Sequence, residues 1–294
     1  MGDVASEVVA VLGLGEAGAR YAADLLAAGV TVVGYDPLGP PAVPGPSAVP
    51  GSPAQRGSPA QPGPSAVPGL RWAAGPAEAA GGAHIVLSLN AASVAEQVAR
   101  EAARGLGEGT VFADLNTASP AAKRRVAAAL DGTGALFADV AVLAPVTRAG
   151  LRTPLAMAGP GRVELARFLE PLGVPVDDAG PEPGAAAGRK LLRSVFMKGL
   201  AAVVMESLDI AAAAGLEEWL RGQIVAEFAA ADEALVTRLV EGTRKHAARR
   251  WAEMLAAGDY AAELGVPGHV VRAVIARLED LAGETGASGA AAES

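Results

Sequence analysis

Two lysines and a serine lie close together in a segment whose spacing predicts a helix. In residues 188–198, a period of 3.6 residues places Lys190, Ser194 and Met197 on one stripe, with Arg193 and Lys198 on either side. A lysine that is partly buried near another cation has a lowered pKa, which suits it to exchange a proton with a hydroxyl or a carbonyl oxygen. We therefore expect a general acid/base on this helix. The alternative is a solvated basic helix face.

A glycine-rich turn near the N-terminus indicates a binding site. The pattern G-x-G-x-x-G follows an expected strand, opens an expected helix and is formed by Gly13, Leu14, Gly15, Glu16, Ala17 and Gly18. The first glycine allows a tight turn, the second lets a pyrophosphate approach the backbone, and the third lets the helix pack closely on the strand. The helix N-terminus offers free N–H groups to the phosphates. We expect a dinucleotide site here, and the alternative is a glycine turn without a ligand.

Asp36, at the end of the next expected strand, bears on the choice of cofactor. Its carboxylate would accept hydrogen bonds from a ribose 2′-hydroxyl and repel a 2′-phosphate, which favours NAD over NADP. NADP stays possible, because Arg56 in the following segment could reach a 2′-phosphate.

Polar residues follow a later strand, in the run DLNTASP that begins at Asp114. Ligands of open α/β sheets bind at the carboxyl ends of strands, so Asn116 and Thr117 are expected to meet substrate or nicotinamide. Ser119 and Pro120 are typical of a helix start, as its cap and its first residue. Both interpretations hold together, since capping leaves residues 116 and 117 free.

The elements that must position these residues are α/β in the first part of the chain and all-α in the second. Strands are expected at 7–13, 30–35, 70–73, 84–89, 110–114, 135–142, 155–158 and 174–177, with helices at 17–28, 76–80, 93–104, 120–130 and 162–169. Strand–helix–strand units of this length imply parallel strands with right-handed crossovers. After residue 184 only helices are expected, separated at Gly215, Gly242, Gly258 and Gly265–Gly268.

A repeat interrupts the α/β part. From Gly39 to Gly69 a glycine recurs at every sixth position, in units such as GPSAVP and GSPAQR. The position that would face a β-helix core alternates between Val and Gln, so we expect an extended or disordered insertion over 39–68.

Composition excludes several classes of protein. The chain has 294 residues, no cysteine and a net charge of −8, so it has no disulfide scaffold and no thiol chemistry. The negative charge argues against nucleic-acid partners, and no apolar run is long enough for a membrane helix. The three histidines show no metal-ligand spacing, and we expect no metal and a cytoplasmic location.

The order of these motifs resembles the β-hydroxyacid dehydrogenase superfamily, which includes 6-phosphogluconate and 3-hydroxyisobutyrate dehydrogenases. The resemblance covers nearly the whole chain outside the repeat and rests on GLGEAG, SLNAASVAEQV, DLNTASP, FADVAVLAP, LAMAGP and GRKLLRS. It implies an α/β fold, a Rossmann doubly wound parallel sheet followed by an all-α C-terminal domain. The corresponding boundaries are 1–181 for the NAD(P)-binding domain, 182–284 for a helical substrate and homodimerisation domain, and 285–294 for a disordered tail.

The resemblance also implies roles for single residues. Lys190 matches the family's catalytic lysine, Thr117 matches the hydroxyl residue of its D-x-S-T motif, and Asn116 takes the preceding serine position. Leu89 and Asn90 fall at the cofactor site. Where the family has an asparagine one turn after the lysine, this chain has Arg193 and Ser194.

A second departure concerns the substrate carboxylate. The family binds it through the N–H groups of a Ser-Gly-Gly segment, whose place is taken here by Leu143-Ala144-Pro145, and proline has no N–H. Arg148 or Arg193 is therefore expected to recognise the anion instead, as a planar fork suited to carboxylate or phosphate.

Three functions remain open. The first is hydride transfer between NAD(P) and a small anionic 3-hydroxy acid or its carbonyl form, with Lys190 as general acid/base and Thr117, Asn116 and Ser194 positioning the substrate. The second is an imine or ketone reductase, a group that is similar to this superfamily but usually replaces the lysine. The third is a non-catalytic NAD-binding scaffold whose Pro-rich repeat recruits a partner.

Overall fold

The computed structural model describes residues 6–40 and 67–292, with side chains up to residue 284. Most of the insertion predicted over 39–68, including Arg56, falls within residues 41–66 and so lies outside the described residues. The described chain divides into two compact units, one ending at Arg193 and one beginning at Ser194.

The first unit is built on an eight-stranded sheet. Its strands are β1 (Val8–Leu12), β2 (Thr31–Tyr35), β3 (Arg71–Trp72), β4 (Ile85–Ser88), β5 (Val111–Asp114), β6 (Leu136–Val142), β7 (Leu155–Ala158) and β8 (Val176–Asp178). They are arranged in the order β3-β2-β1-β4-β5-β6-β7-β8. The first six follow the order of the Rossmann fold, in which ligands bind where the strand order reverses, here between β1 and β4.

Helices flank the sheet and then continue alone. They are α1 (Glu16–Ala27), α2 (Pro76–Ala80), α3 (Ala95–Ala102), α4 (Pro120–Ala128), α5 (Val146–Ala149), α6 (Arg162–Leu169), α7 (Ala185–Ala213), α8 (Glu217–Ala229), α9 (Glu233–Lys245), α10 (Ala247–Glu263) and α11 (His269–Ala292). The predicted start of α4 is confirmed, because Ser119 Oγ accepts the Ala122 N–H at 3.2 Å and Pro120 is the first helical residue. The α/β fold with a helical C-terminal region is therefore as the sequence predicts.

The sheet is buried on both faces, as short apolar strands rich in valine predict. Val9 and Val11 belong to one core cluster, while Ala10 and Leu12 belong to the cluster on the opposite face. Parallel sheets covered on both faces have such continuous apolar strands.

One part of the predicted parallel sheet is wrong. β7 pairs with β6 in antiparallel register, with Val142 opposite Leu155. The Leu143 N–H donates to the Pro154 carbonyl at 2.9 Å, so the segment between the two strands closes on itself as a hairpin loop does, with α5 inside it. A crossover helix that would return the chain parallel is absent between these two described strands.

The register of three strands aligns polar residues in one row. Ser88 pairs with Asp114 across β4 and β5, and Asp114 pairs with Asp139 across β5 and β6. All three side chains are fully buried. The row lies at the end of β4 and β5, directly before the segment that carries Asn116 and Thr117.

The second unit contains the rest of α7 and the helices α8 to α11. Two predicted helix breaks are wrong, since Gly242 lies inside α9 and Gly258 inside α10. A Cβ on Gly258 would lie 3.4 Å from Ile275 and 3.5 Å from Val271, so this glycine serves the close packing of α10 on α11.

The division into compact units falls inside α7, between Arg193 and Ser194, because the first turns of that helix pack on the sheet domain. The domain boundaries expected from the sequence stay a prediction. The backbone of α11 continues to Ala292, over most of the segment predicted as a tail, where alanine favours the helix. No helix within the described ranges is both long enough and apolar enough to cross a membrane.

Candidate active site

The glycine turn between β1 and α1 has the geometry that its pattern predicts. Gly13 adopts a φ of 97°, and a Cβ there would lie 2.4 Å from the Leu89 carbonyl oxygen and 2.9 Å from Asn90 Oδ1. A Cβ on Gly18 would lie 1.9 Å from the Gly13 carbonyl oxygen. Both positions therefore exclude any side chain.

Gly15 differs from its two neighbours in the motif. A Cβ on Gly15 would meet nothing within 4 Å, so the protein itself does not require glycine at this position. Gly15 is the N-cap of α1. In the first turn of the helix, Glu16 is exposed and Ala17 is half-buried. The open space and the first N–H groups of α1 fit the pyrophosphate of a dinucleotide.

The Asp36 carboxylate is fixed beside this turn by two backbone groups. The Leu14 N–H donates to Oδ2 at 2.9 Å, and the Leu38 N–H donates to Oδ1 at 3.0 Å. Each carboxylate oxygen keeps a lone pair that can accept from a ribose hydroxyl. The structure thus brings the predicted cofactor residues together at the carboxyl ends of β1, β2 and β4.

Lys190 and Thr117 meet at the carboxyl end of β5. Lys190, in the second turn of α7, donates from Nζ to Thr117 Oγ1 at 2.8 Å, although the two residues are 73 positions apart in the chain. Both side chains line a small cavity together with Asn116. An amine and a hydroxyl in contact can exchange a proton with a reacting oxygen and hold that oxygen in place.

Asn116 is more deeply placed than its neighbour. It is 4% exposed, and its Nδ2 donates to Asp114 Oδ1 at 2.6 Å and to Ser88 Oγ at 3.2 Å. The neighbouring carboxylate fixes the orientation of the amide, because only the NH₂ group can donate to it. Asn116 thus stabilises the end of β5 through the hydrogen bonds of its Nδ2. Its Oδ1 is buried without a hydrogen-bond partner among the described residues.

The two predicted anion-binding arginines lie in different surroundings. Arg193 Nη1 donates to the Leu143 carbonyl oxygen at 3.2 Å, so its guanidinium lies against the segment that replaces the family's Ser-Gly-Gly. Arg148 is exposed on α5; its backbone N–H donates to the Pro145 carbonyl oxygen at 3.2 Å, but its side chain makes no hydrogen bond or ion pair with the described residues. The guanidinium of Arg193, and not that of Arg148, therefore contacts the Leu143-Ala144-Pro145 segment.

Ser194 follows one helical turn after Lys190 on α7 and is half-buried. It is the first residue of the second compact unit. Its predicted role in positioning substrate stays a prediction.

A buried group of charges beneath this region was missed by the sequence analysis. Lys123 is 1% exposed, and its Nζ lies 3.1 Å from Asp114 Oδ2 and 3.4 Å from Asp139 Oδ1. The available signals were a lone aspartate in each of two otherwise apolar strands and a lysine in an arginine-rich chain. These signals do not reveal the contact, because it depends on the register of β5 and β6.

Comparison with known families agrees with this geometry. Residues 8–172 match the family described as the NAD binding domain of 6-phosphogluconate dehydrogenase. The chain belongs to this family. Residues 211–281 match a domain of unknown function, DUF1932.

Individual proteins and solved structures are also similar to this chain. An uncharacterised 28.5 kDa protein from the 7S RNA 5′ region of Methanothermus fervidus is 30% identical over 106 residues, which are 36% of this chain and 40% of that protein. A conserved protein of unknown function, described as structurally similar to 3-hydroxyacid dehydrogenases, is 24% identical with a TM-score of 0.57, over 93% of this chain and 97% of that one. An imine reductase from Streptomyces aurantiacus is 22% identical with a TM-score of 0.69, over 93% of this chain and 94% of that one.

Proposed function

We propose that this protein is an NAD-dependent oxidoreductase that transfers a hydride between nicotinamide and a small anionic 3-hydroxy acid or its carbonyl form. The observation that carries the proposal is the contact between Lys190 Nζ and Thr117 Oγ1 at 2.8 Å, at the carboxyl end of β5. The glycine turn that fits a dinucleotide opens at the same edge of the sheet, at the carboxyl end of β1.

The proposed roles of the two residues follow from their chemistry. Bound NAD supplies the acceptor for the hydride. The Lys190 amine takes the proton from the substrate hydroxyl as the carbinol carbon is oxidised, and returns it to the carbonyl oxygen in the reverse direction. Thr117 accepts a hydrogen bond from Lys190 and keeps its own O–H to donate to the substrate oxygen.

The anionic end of the substrate is assigned to Arg193. Pro145 has no N–H to offer a carboxylate, and Arg193 lies against the same segment through its bond to Leu143. The guanidinium donors that remain make no hydrogen bond with the described residues and can hold a carboxylate or a phosphate in a bidentate manner. Arg148 stays a second candidate for this role.

The cofactor preference rests on Asp36. Its carboxylate is held in place by the N–H groups of Leu14 and Leu38, forms no ion pair with the described residues, and would repel a 2′-phosphate. NAD is therefore proposed over NADP.

The substrate class is tested by NADH formation at 340 nm. The wild-type protein is supplied with NAD⁺ and a panel of 3-hydroxy acids that carry a carboxylate, a phosphate or both, and with the matching uncharged alcohols. The proposal predicts turnover of anionic members and little turnover of the uncharged ones. A preference for the uncharged alcohols would contradict it.

An imine reductase is the second candidate, because the fold of this chain is similar to that of the imine reductase from Streptomyces aurantiacus. Lys190 argues against it on chemical grounds, since an alcohol needs a base for its proton whereas the reduction of an iminium ion needs none. Efficient reduction of a cyclic imine with NADPH, without turnover of any hydroxy acid, would reverse this order.

A homodimer through the C-terminal helices is also proposed. Within the second unit, large apolar side chains are exposed on three helices: Val195, Phe196 and Met205 on α7; Trp219, Val225 and Phe228 on α8; Val236, Leu239 and Val240 on α9. Apolar surface of this extent is typical of an interface between protein chains. A second copy of the chain is the proposed partner.

The cytoplasmic location stays a prediction from the sequence.

A further inference from the structure

A single buried ammonium group connects two parts of the sheet domain that carry the proposed site. Lys123 Nζ donates to the Asp114 carbonyl oxygen at 2.6 Å and lies 3.1 Å from the Asp114 carboxylate. The same Nζ lies 3.4 Å from Asp139 Oδ1. Lys123 is 1% exposed, and both carboxylates are fully buried.

On one side, this group orders the segment that carries Thr117. Asp114 Oδ1 accepts the Asn116 N–H at 3.1 Å and the Asn116 side chain at 2.6 Å. The backbone immediately before Thr117 is therefore hydrogen-bonded to the Asp114 carboxylate, whose other oxygen, Oδ2, faces Lys123.

On the other side, the group holds the start of the helix that carries Lys190. Asp139 Oδ2 accepts the Gly184 N–H at 3.1 Å and the Ala187 N–H at 3.0 Å, which caps the N-terminus of α7. An anion at a helix N-terminus is stabilised by the helix dipole. Lys190 lies three residues beyond Ala187, in the second turn of α7.

We propose that Lys123 and Asp139 are positioning residues, which set the contact between Lys190 and Thr117 by joining the end of β5 to the start of α7. A buried ion pair stabilises a fold little better than apolar residues of the same volume, so stability alone gives a weak reason for three buried charges here. A fixed distance between two segments gives a better one. This inference rests on the proposed function of Lys190 for its consequence on turnover.

The experiment separates positioning from turnover by observing Lys190 directly. The chain has four lysines, so biosynthetic labelling with ¹³C-lysine gives few lysine signals in an NMR spectrum. The Lys190 signal is assigned by its loss in Lys190→Arg, and its position without the hydrogen bond is given by Thr117→Val. Asp139→Asn and Lys123→Met are then compared with Asp131→Asn and Lys245→Met, which make the same changes at exposed positions.

We expect the Lys190 signal in Asp139→Asn and Lys123→Met to move towards its position in Thr117→Val. We also expect kcat to fall at least tenfold while the dissociation constant of NAD changes less than twofold, with both control variants unchanged. Using two variants keeps the test valid where one of them fails to fold.

Each result has a distinct meaning. A Lys190 signal that stays in place in a folded variant, with only the melting temperature reduced, would overturn the positioning role. A signal that moves while kcat is unchanged would support the positioning role and contradict the proposed function of Lys190.

Discussion

Lys190 Nζ and Thr117 Oγ1 lie 2.8 Å apart although 73 positions separate the residues in the chain. The contact forms because the carboxyl end of β5 and the second turn of α7 meet at the same edge of the sheet. It gives the molecule an amine and a hydroxyl at the edge where a Rossmann fold binds its ligands.

Gly15→Ala is expected to leave the fold intact and to weaken cofactor binding. The new methyl group meets nothing within 4 Å in the protein, but it fills the space through which a pyrophosphate would approach. The dissociation constant of NADH, measured by fluorescence titration, should rise about tenfold or more, which corresponds to ~1.4 kcal/mol. The melting temperature should be unchanged.

Gly18→Ala is the matched control for that variant. Its methyl group would lie 1.9 Å from the Gly13 carbonyl oxygen, so this variant should lose stability as well as binding. If Gly15→Ala bound NADH as tightly as the wild type does, the cofactor would have to lie elsewhere.

Asp36→Asn should reduce the preference for NAD over NADP by about tenfold or more, since a hydrogen bond to a charged group contributes about 1.5–3 kcal/mol. The amide oxygen can still accept the Leu14 N–H, while the charge that repels a 2′-phosphate is lost. The ratio of kcat/KM values for the two cofactors measures this change. An unaltered ratio would remove Asp36 from cofactor selection.

Arg193→Gln should raise KM for an anionic substrate by about tenfold or more and leave the affinity for NAD unchanged. The guanidinium lies against Leu143, where it can hold a carboxylate, and a charged hydrogen bond contributes about 1.5–3 kcal/mol. Arg148→Gln, measured beside it, decides between the two arginines. A rise in KM only for Arg148→Gln would move the anion site to α5.

Glu206→Gln should destabilise the helical unit at neutral pH by about 1 kcal/mol, as the loss of a helix cap does. Burial opposes the charged form of Glu206, but the N–H groups of Val270 and Val271, at 2.9 and 2.8 Å, outweigh it and lower the pKa of the carboxyl.

The sign of the pH dependence follows from that lowered pKa. A carboxyl whose pKa is lower in the folded state stabilises the fold above its unfolded pKa of about 4.3, and this contribution is lost as the pH falls through the folded value. Urea unfolding of wild type and Glu206→Gln should therefore differ at pH 7 and converge in acid. A difference that grows in acid would contradict the assignment.

The sequence predicts those features that local patterns determine. Short apolar runs rich in valine mark β1 and β4, and the glycine turn between β1 and α1 has the geometry that its spacing requires. Thr117 is predicted as a site residue because parallel strands place their carboxyl ends at one edge, and Lys190 because of its helical spacing and its match to the family's catalytic lysine.

Features that depend on register and tertiary packing could not be read in this way. The contact of Lys123 with Asp114 and Asp139 needs the alignment of β5 with β6, which no local pattern gives. Gly258 resembles a helix break, yet it lies inside α10 because Val271 and Ile275 pack against it. The antiparallel direction of β7 likewise depends on how its loop closes.

In the proposed reaction Lys190 transfers the substrate proton. The most direct measurement is kcat for NADH formation by Lys190→Met at saturating NAD⁺ and hydroxy acid, with Lys245→Met as the matched control. We expect kcat to fall about 10²- to 10⁴-fold, the usual contribution of a general acid/base, with the dissociation constant of NAD unchanged and the control at wild-type level. A Lys190→Met protein that keeps full turnover would contradict this role.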